Sequence, residues 1–217
     1  MLKVENLRTF NWEGALRGMR NPLNSWAKSD STFDENGNVI NIGENDLRLM
    51  KSLFKAGAEH RKYLRQIFVS MDITAPLYWI SELDTYKVGT VRNSCSFMHK
   101  GVSKPFEISD FSTHDILIDG TPTNVETWKV ILDTLNQLRK EYFDTKDNNI
   151  FQQIRCLLPS GYNLKFTVTM NYENVFTIIH QRSGHRLEEW NEFIEILKTL
   201  PYVQELLSAL DEKETKQ

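Results

Sequence analysis

Apolar residues recur every three or four positions in several long stretches of the chain, a spacing that predicts amphipathic helices. The clearest stretch starts with Thr123 and Glu126, which are spaced as a capping box at a helix N-terminus. One apolar stripe follows along the same helix, formed by Val125, Trp128, Ile131, Leu132, Leu135 and Leu138. Weaker versions of this spacing predict further helices at 46–57, 77–86, 149–158, 172–181, 186–200 and 201–210.

Two other stretches, 66–73 and 163–170, are rich in β-branched and aromatic residues and predict strands. Gly37 marks a turn because glycine takes a positive φ easily, and Pro76 suits the first turn of the helix that follows the first predicted strand. Asn45 is expected to cap the first long helix. Since helices outnumber strands, the predicted fold class is α+β.

The composition is that of an ordinary globular domain. The chain has 217 residues, of which 40% are hydrophobic and 25% are charged, so we expect one domain at 1–210 and a disordered tail at 211–217. A formal net charge of −3 gives no field that would attract nucleic acid or an anionic membrane. The sequence shows neither the apolar region of a signal peptide nor a run long enough to span a membrane, so the expected location is cytoplasmic.

Cys95 and Cys156 are the only cysteines, too few for a disulfide framework. Neither has Cys or His neighbours at the spacing of a zinc site, and His60 and His99 do not form a metal pair by spacing. No metal site is therefore predicted.

Four polar residues near predicted element ends are candidates for ligand binding. Arg155 and Arg182 each end a predicted helix, where a planar guanidinium suits a phosphate or a carboxylate, or where it simply complements the helix dipole. Asn171 is placed to cap the helix that it precedes, and a lone His185 carries little information. Taken one by one, these residues leave structural and functional roles open.

Their joint spacing is more informative. Arg155 opens an Arg-x-x-Leu-Pro sequence, Asn171 follows the next predicted strand, and Arg182 and His185 end the helix after it. This pattern resembles the C-terminal signature of the flavin-dependent thymidylate synthases. The resemblance implies a small antiparallel sheet flanked by several helices. It also implies that Arg155 and Arg182 contact a deoxyuridylate substrate and that Asn171 and His185 contact FAD.

The chain departs from the family at its defining motif, Arg-His-Arg followed by Ser and then Ser-x-Arg-Tyr. The corresponding positions hold Thr85, Tyr86, Lys87, Thr90, Cys95, Phe97 and Met98. By position, the resemblance implies substrate contacts for Thr90 and Cys95 and a FAD contact for Lys87. In addition, His185 is one position closer to Arg182 than in the family, and Thr177 stands where many members have a second Asn.

The loop that replaces the motif has a chemistry of its own. Gly89 allows close backbone approach, several hydroxyls surround it, and Lys87 and Arg92 add positive charge. Such a loop suits a phosphorylated ligand, or it is a polar turn whose hydroxyls only cap helix ends. For Cys95, no base is placed by the sequence, so a structural thiol is favoured over a nucleophile.

Two functional hypotheses follow. The first is an enzyme that resembles flavin-dependent thymidylate synthase and transfers a one-carbon unit to dUMP. The resemblance then implies FAD as cofactor, NADPH and methylenetetrahydrofolate as co-substrates, and a homotetramer. The second is a non-catalytic protein that binds a nucleotide on the same scaffold.

Overall fold

The structure is a computed structural model that describes residues 2–97, 101–114, 117–118, 121–122 and 125–214. In chain order, the helices and strands within these ranges are β1 (Lys3–Phe10), α1 (Trp12–Arg20), β2 (Thr32–Phe33), β3 (Val39–Asn41), α2 (Glu44–Lys55), β4 (Phe68–Pro76), α3 (Leu77–Leu83), β5 (Val91–Ser94), β6 (Leu117–Ile118), β7 (Thr121–Pro122), α4 (Val125–Thr145), α5 (Asn148–Leu157), β8 (Asn163–Asn171), α6 (Tyr172–Arg182), α7 (Glu188–Lys198) and α8 (Val203–Glu214).

The main sheet is small and antiparallel, with four strands in the order β1-β4-β8-β5. The pairs β2-β3 and β6-β7 form separate two-stranded antiparallel sheets. In β4 and β8, buried and more exposed residues alternate, so each strand turns one apolar side inward. The predicted α+β class, a small antiparallel sheet with several helices, is confirmed.

The chain divides into two compact units. The first unit comprises 1–3, 73–85 and 93–166, and the second unit comprises 4–72, 86–92 and 167–217. The single domain expected from the composition stays a prediction.

The first unit has an aromatic core. Its fully buried members include Phe106 and Phe111, and Tyr162 packs edge-to-face against both, with ring centroids 6.3 and 5.6 Å away. The apolar stripe of α4 contributes Leu135, which is 1% exposed, whereas Val125 at the start of the stripe is 55% exposed and lies outside the core.

The core of the second unit is built from helices and large aromatic side chains. Trp12 of α1 packs edge-on against Tyr172 of α6 with ring centroids 5.1 Å apart, and Phe54 of α2 lies 4.6 Å from Phe176. The helices α6, α7 and α8 pack one against the next, and α8 also contacts α2. Large aromatic rings such as these bury much apolar area and contribute strongly to the stability of a core.

A buried ion pair joins α1 to α2. Arg20 and Asp46 are 3% and 0% exposed, and Arg20 Nε donates to Asp46 Oδ1 at 2.6 Å. The hydroxyls of Ser29 and Ser31 donate to the other carboxylate oxygen at 2.8 and 2.7 Å. Burial raises the pKa of Asp46, but the hydrogen bonds from Ser31, Ser29 and Arg20 outweigh it, so the pKa lies below its ordinary value.

Most of the predicted elements are present, and the differences have local causes. The helix α2 starts at Glu44 with Gly43 as its N-cap, because the carboxylate of Asp30 accepts from the backbone N–H groups of Asn45 and Asp46 at 2.9 and 3.1 Å. The expectation that Asn45 caps this helix is therefore wrong.

Two further boundaries differ from the sequence prediction. The helix α3 ends at Leu83, three residues before the expected Tyr86. The helix α8 continues to Glu214, so residues 211–214 are helical rather than part of an unstructured tail. Thr123 of the predicted capping box lies outside the described residues. Seven elements, β1, α1, β2, β3, β5, β6 and β7, were not predicted.

Candidate functional site

The helix α6 holds the loop segment 86–90, which covers part of the altered motif. Asn171 caps α6 as predicted, because its Oδ1 accepts from the N–H of Asn174 at 3.0 Å. Asn174 in turn uses Nδ2 to donate to the carbonyl of Val88 at 2.7 Å and to the hydroxyl of Thr90 at 2.8 Å. The N-terminal end of α6 therefore fixes the second half of the segment.

Gly89 is needed at the centre of this segment for two reasons. Its φ of +70° lies in the left-handed region, which most side chains avoid. A Cβ atom at this position would also lie 2.4 Å from Nδ2 of Asn171. The loop thus approaches the helix as closely as a backbone without a side chain allows.

The other end of α6 fixes Tyr86. Arg182 Nε donates to Tyr86 Oη at 2.9 Å. The Arg182 guanidinium carbon also lies 5.6 Å from the ring centroid of Tyr86 and 4.7 Å from that of Trp190, within the range of cation–π attraction. Residues at both ends of α6 therefore hold the segment 86–90.

His185 lies beside Arg182 because the chain turns immediately after α6. Gly184 has a φ of +69°, and the backbone N–H of His185 donates to the Arg182 carbonyl at 3.1 Å. The N–H of Leu187 points at Nδ1 of His185 at 3.1 Å, and Nη1 of Arg182 points at Nε2 of the same ring at 3.2 Å. A neutral imidazole has only one acceptor nitrogen, so it accepts one of these two hydrogen bonds at a time. His185 thus lies directly against the Arg182 guanidinium, whose planar fork suits an acceptor oxygen.

Arg155 and Cys95 belong to the first unit. Arg155 is exposed near the end of α5, and its guanidinium carbon lies 5.1 Å from the ring centroid of Phe97. Cys95 is exposed, and its backbone N–H donates to the Lys165 carbonyl at 2.9 Å. Lys87, in the second unit, is also exposed.

Five of the predicted residues lie in the second unit: Lys87, Thr90, Asn171, Arg182 and His185. Thr90 and Asn171 lie at the start of α6, and Arg182 and His185 lie beside each other at its end. The convergence of Arg155 and Arg182 on one ligand stays a prediction, as do the ligand roles of all these residues. Met98, another position of the altered motif, lies outside the described residues.

Sequence reasoning missed three residues that build this site. These residues are Tyr86, which the sequence marks only as a position of the altered motif, and Asn174 and Trp190, which no sequence signal marks. Trp190 is fully buried and also carries the guanidinium of Arg182. The position of Tyr86 in the family's Arg-His-Arg motif was the one signal available in the sequence.

The described residues contain no group of three or more His, Cys, Asp and Glu side chains that could hold a metal ion. None of their helices combines the length and the apolar character that crossing a bilayer requires.

Comparison with known proteins identifies the fold. No family model matches the chain, and no curated protein matches its sequence. Thymidylate synthase X (ThyX) from Helicobacter pylori, solved with FAD and dUMP, is similar in structure: the TM-score is 0.65 at 16% identity, over 93% of this chain and 94% of that one. The chain has a ThyX-like fold. The UMP/dUMP methylase PolB from Streptomyces cacaoi, bound with 5-Br UMP, also has this fold, with a TM-score of 0.65 and 14% identity over 96% of this chain and 94% of that one.

Proposed function

We propose that the protein binds dUMP and transfers a one-carbon unit to its uracil ring with FAD as cofactor. The observation that carries the proposal is the guanidinium of Arg182 at the end of α6, which is held by Tyr86 and Trp190 beside His185. A uracil carbonyl is an acceptor that a guanidinium recognises. The ThyX-like fold, whose solved examples include proteins with FAD and dUMP, supports the choice of ligand.

Each residue has a role in this proposal that follows from its chemistry. Arg182 supplies a fixed positive charge where negative charge develops on a uracil oxygen, and its planar fork orients the ring. Arg155, Thr90 and Cys95 are the further substrate contacts that the family resemblance implies. Positioning and charge stabilisation are thus the contributions expected of the protein itself.

The residues present near the start of α6 suit a flavin in part. Lys87 offers an exposed ammonium as a hydrogen-bond donor, whereas Asn171 is buried, with Oδ1 committed to the helix cap and Nδ2 packed against Gly89. Bound FAD would supply the redox and carrier chemistry, with NADPH as reductant and methylenetetrahydrofolate as carbon source. A homotetramer is part of the same proposal.

A second candidate is a non-catalytic nucleotide-binding protein. The altered motif favours it, because two of its side chains are used inside the protein. The hydroxyl of Thr85 donates to the carbonyl of Glu82 at 2.7 Å, and Tyr86 accepts from Arg182. These side chains do not offer the positive charges that an Arg-His-Arg motif presents.

Flavin binding separates the two candidates. The purified protein, incubated with FAD and then desalted, should retain a flavin absorbance spectrum if it is the enzyme. Lys87→Ala should retain less flavin, because an exposed cation contact is lost, whereas Lys140→Ala on α4 should match the unaltered protein. A protein that stays colourless while binding dUMP contradicts the enzyme and leaves the binding function.

Substitution of Arg182 tests the nucleotide site. Arg182→Ala should weaken dUMP binding by about 10- to 100-fold in calorimetry, because hydrogen bonds from a charged group are lost. Arg182→Lys keeps the charge without the planar fork, so its dUMP affinity should lie between those of the unaltered protein and Arg182→Ala.

The matched control is Arg186→Ala, which removes an exposed arginine just after α6. Its dUMP affinity should equal that of the unaltered protein, and circular dichroism should show the same helix content in all variants. Equal affinity of Arg182→Ala and the unaltered protein would contradict the proposed site.

A further inference from the structure

Tyr86 has a contact that packing alone does not explain. It is 8% exposed, and its hydroxyl accepts from Nε of Arg182 at 2.9 Å, while its ring flanks the same guanidinium. Trp190 flanks the guanidinium as well and packs edge-to-face on Tyr86 with ring centroids 6.0 Å apart. One side chain thus meets Arg182 through both a hydrogen bond and an aromatic ring.

The hydrogen bond at Nε decides where the rest of the guanidinium points. A guanidinium is planar and rigid, so fixing Nε and one face also fixes the directions of the Nη donors. One of these, Nη1, lies 3.2 Å from Nε2 of His185. A long side chain held in this way loses less conformational freedom when a ligand binds.

We propose that Tyr86 is a positioning residue that orients Arg182 for the ligand through the Oη–Nε hydrogen bond. This inference rests on the proposed dUMP site and adds a residue to it. Tyr86 itself makes no contact with the ligand in this role. Tyr86 occupies the position where the family resemblance gives a histidine. In this chain that position would serve the site by orienting Arg182.

Tyr86→Phe tests the role by removing the hydroxyl and keeping the ring. Calorimetry with dUMP should show affinity about 3- to 10-fold weaker than that of the unaltered protein, because Arg182 must be ordered on binding. The matched control is Tyr172→Phe, which removes another hydroxyl of the same unit, one that donates to the Pro201 carbonyl at 3.1 Å. This control should bind dUMP as the unaltered protein does.

A double-mutant cycle separates positioning from a general structural effect. Lysine has neither the Nε–H donor nor a planar fork whose Nη groups this bond could orient, so the positioning role of Tyr86 is absent in Arg182→Lys. Adding Tyr86→Phe to Arg182→Lys should therefore leave the dUMP affinity of the single variant unchanged. A purely structural role for the hydroxyl would weaken binding in both backgrounds by the same factor.

The outcomes distinguish this inference from the proposed function. If the unaltered protein binds dUMP and Tyr86→Phe binds it equally well, Tyr86 does not position Arg182, and the dUMP site stands. An equal loss in the two arginine and lysine backgrounds overturns the role in the same way. If the unaltered protein does not bind dUMP, the proposed function fails and the role of Tyr86 fails with it.

Discussion

At the scale of single residues, Arg20 and Asp46 form a buried ion pair. The two residues are 26 positions apart, and nothing in the sequence around either marks them as partners. Asp46 could be placed in a helix from the apolar spacing, but its burial depends on the arrival of the 29–31 loop, whose hydroxyl and backbone donors surround it. Hydrogen bonds from distant positions to a buried carboxylate cannot be predicted from the local sequence.

Asp46→Asn should strongly destabilise the protein at neutral pH. It leaves the Arg20 guanidinium buried without a counter-charge, which costs about 3–5 kcal/mol for a broken buried pair. Denaturant unfolding at pH 7 measures the loss. An exposed carboxylate that makes no such pair, as in Glu192→Gln on α7, serves as the control and should cost less than about 0.5 kcal/mol.

The same experiment at low pH checks the cause. Because the pKa of Asp46 is lowered on folding, its contribution is present above the unfolded value of about 3.9 and is lost as pH falls through the folded value. The difference between the unaltered protein and Asp46→Asn should therefore shrink as the pH is lowered below about 4. A difference that stays constant between neutral pH and pH 3 would show that the charge of Asp46 is not its source.

At the scale of elements, α6 organises the candidate site. Its start and its cap were predictable, because Asn171 is an N-cap residue placed directly after a β-rich stretch. The capping of α2 was not predictable, because the carboxylate that accepts from the Asn45 N–H belongs to Asp30, which lies 15 residues earlier in a loop. Local signals thus identified a helix end where the capping residue is adjacent, and failed where a distant side chain performs the same task.

Asn174→Ala should release the segment 86–90 from α6. The change removes both hydrogen bonds from Nδ2 and leaves the Val88 carbonyl without that donor, at a cost of about 1–3 kcal/mol. Hydrogen exchange should become faster in this segment while the rest of α6 stays protected. Thr177→Ala is the control, because the Thr177 hydroxyl donates to the Glu173 carbonyl within the same helix; unchanged exchange in Asn174→Ala would contradict this account of the segment.

At the scale of the whole molecule, the fold was predictable further than the site. The spacing of Arg155, Asn171 and Arg182 indicated a thymidylate synthase-like architecture, and structural similarity confirms that fold at 16% identity. The strand order was not predictable, because two of the four strands give weak signals in the sequence. Asn6 takes a positive φ of 54° within β1 and interrupts the alternation of its side chains, and β5 is only four residues long.

The candidate site was predicted less completely for a physical reason. Family resemblance places residues by their position in a motif, whereas Tyr86 and Trp190 acquire their roles through contacts with Arg182. The contact between Tyr86 and Arg182 joins positions that are 96 residues apart in the sequence. The sequence alone contains no measure of such proximity.

The hydrogen bond between Tyr86 and Arg182 also limits which substitutions each of the two positions accepts. Phenylalanine or histidine at position 86 would remove the oxygen that accepts from Arg182 Nε, and lysine at position 182 would remove the Nε–H that donates to it. A change at either position therefore removes the contact that gives the other residue its role. The two positions are expected to covary, although they lie far apart in the sequence.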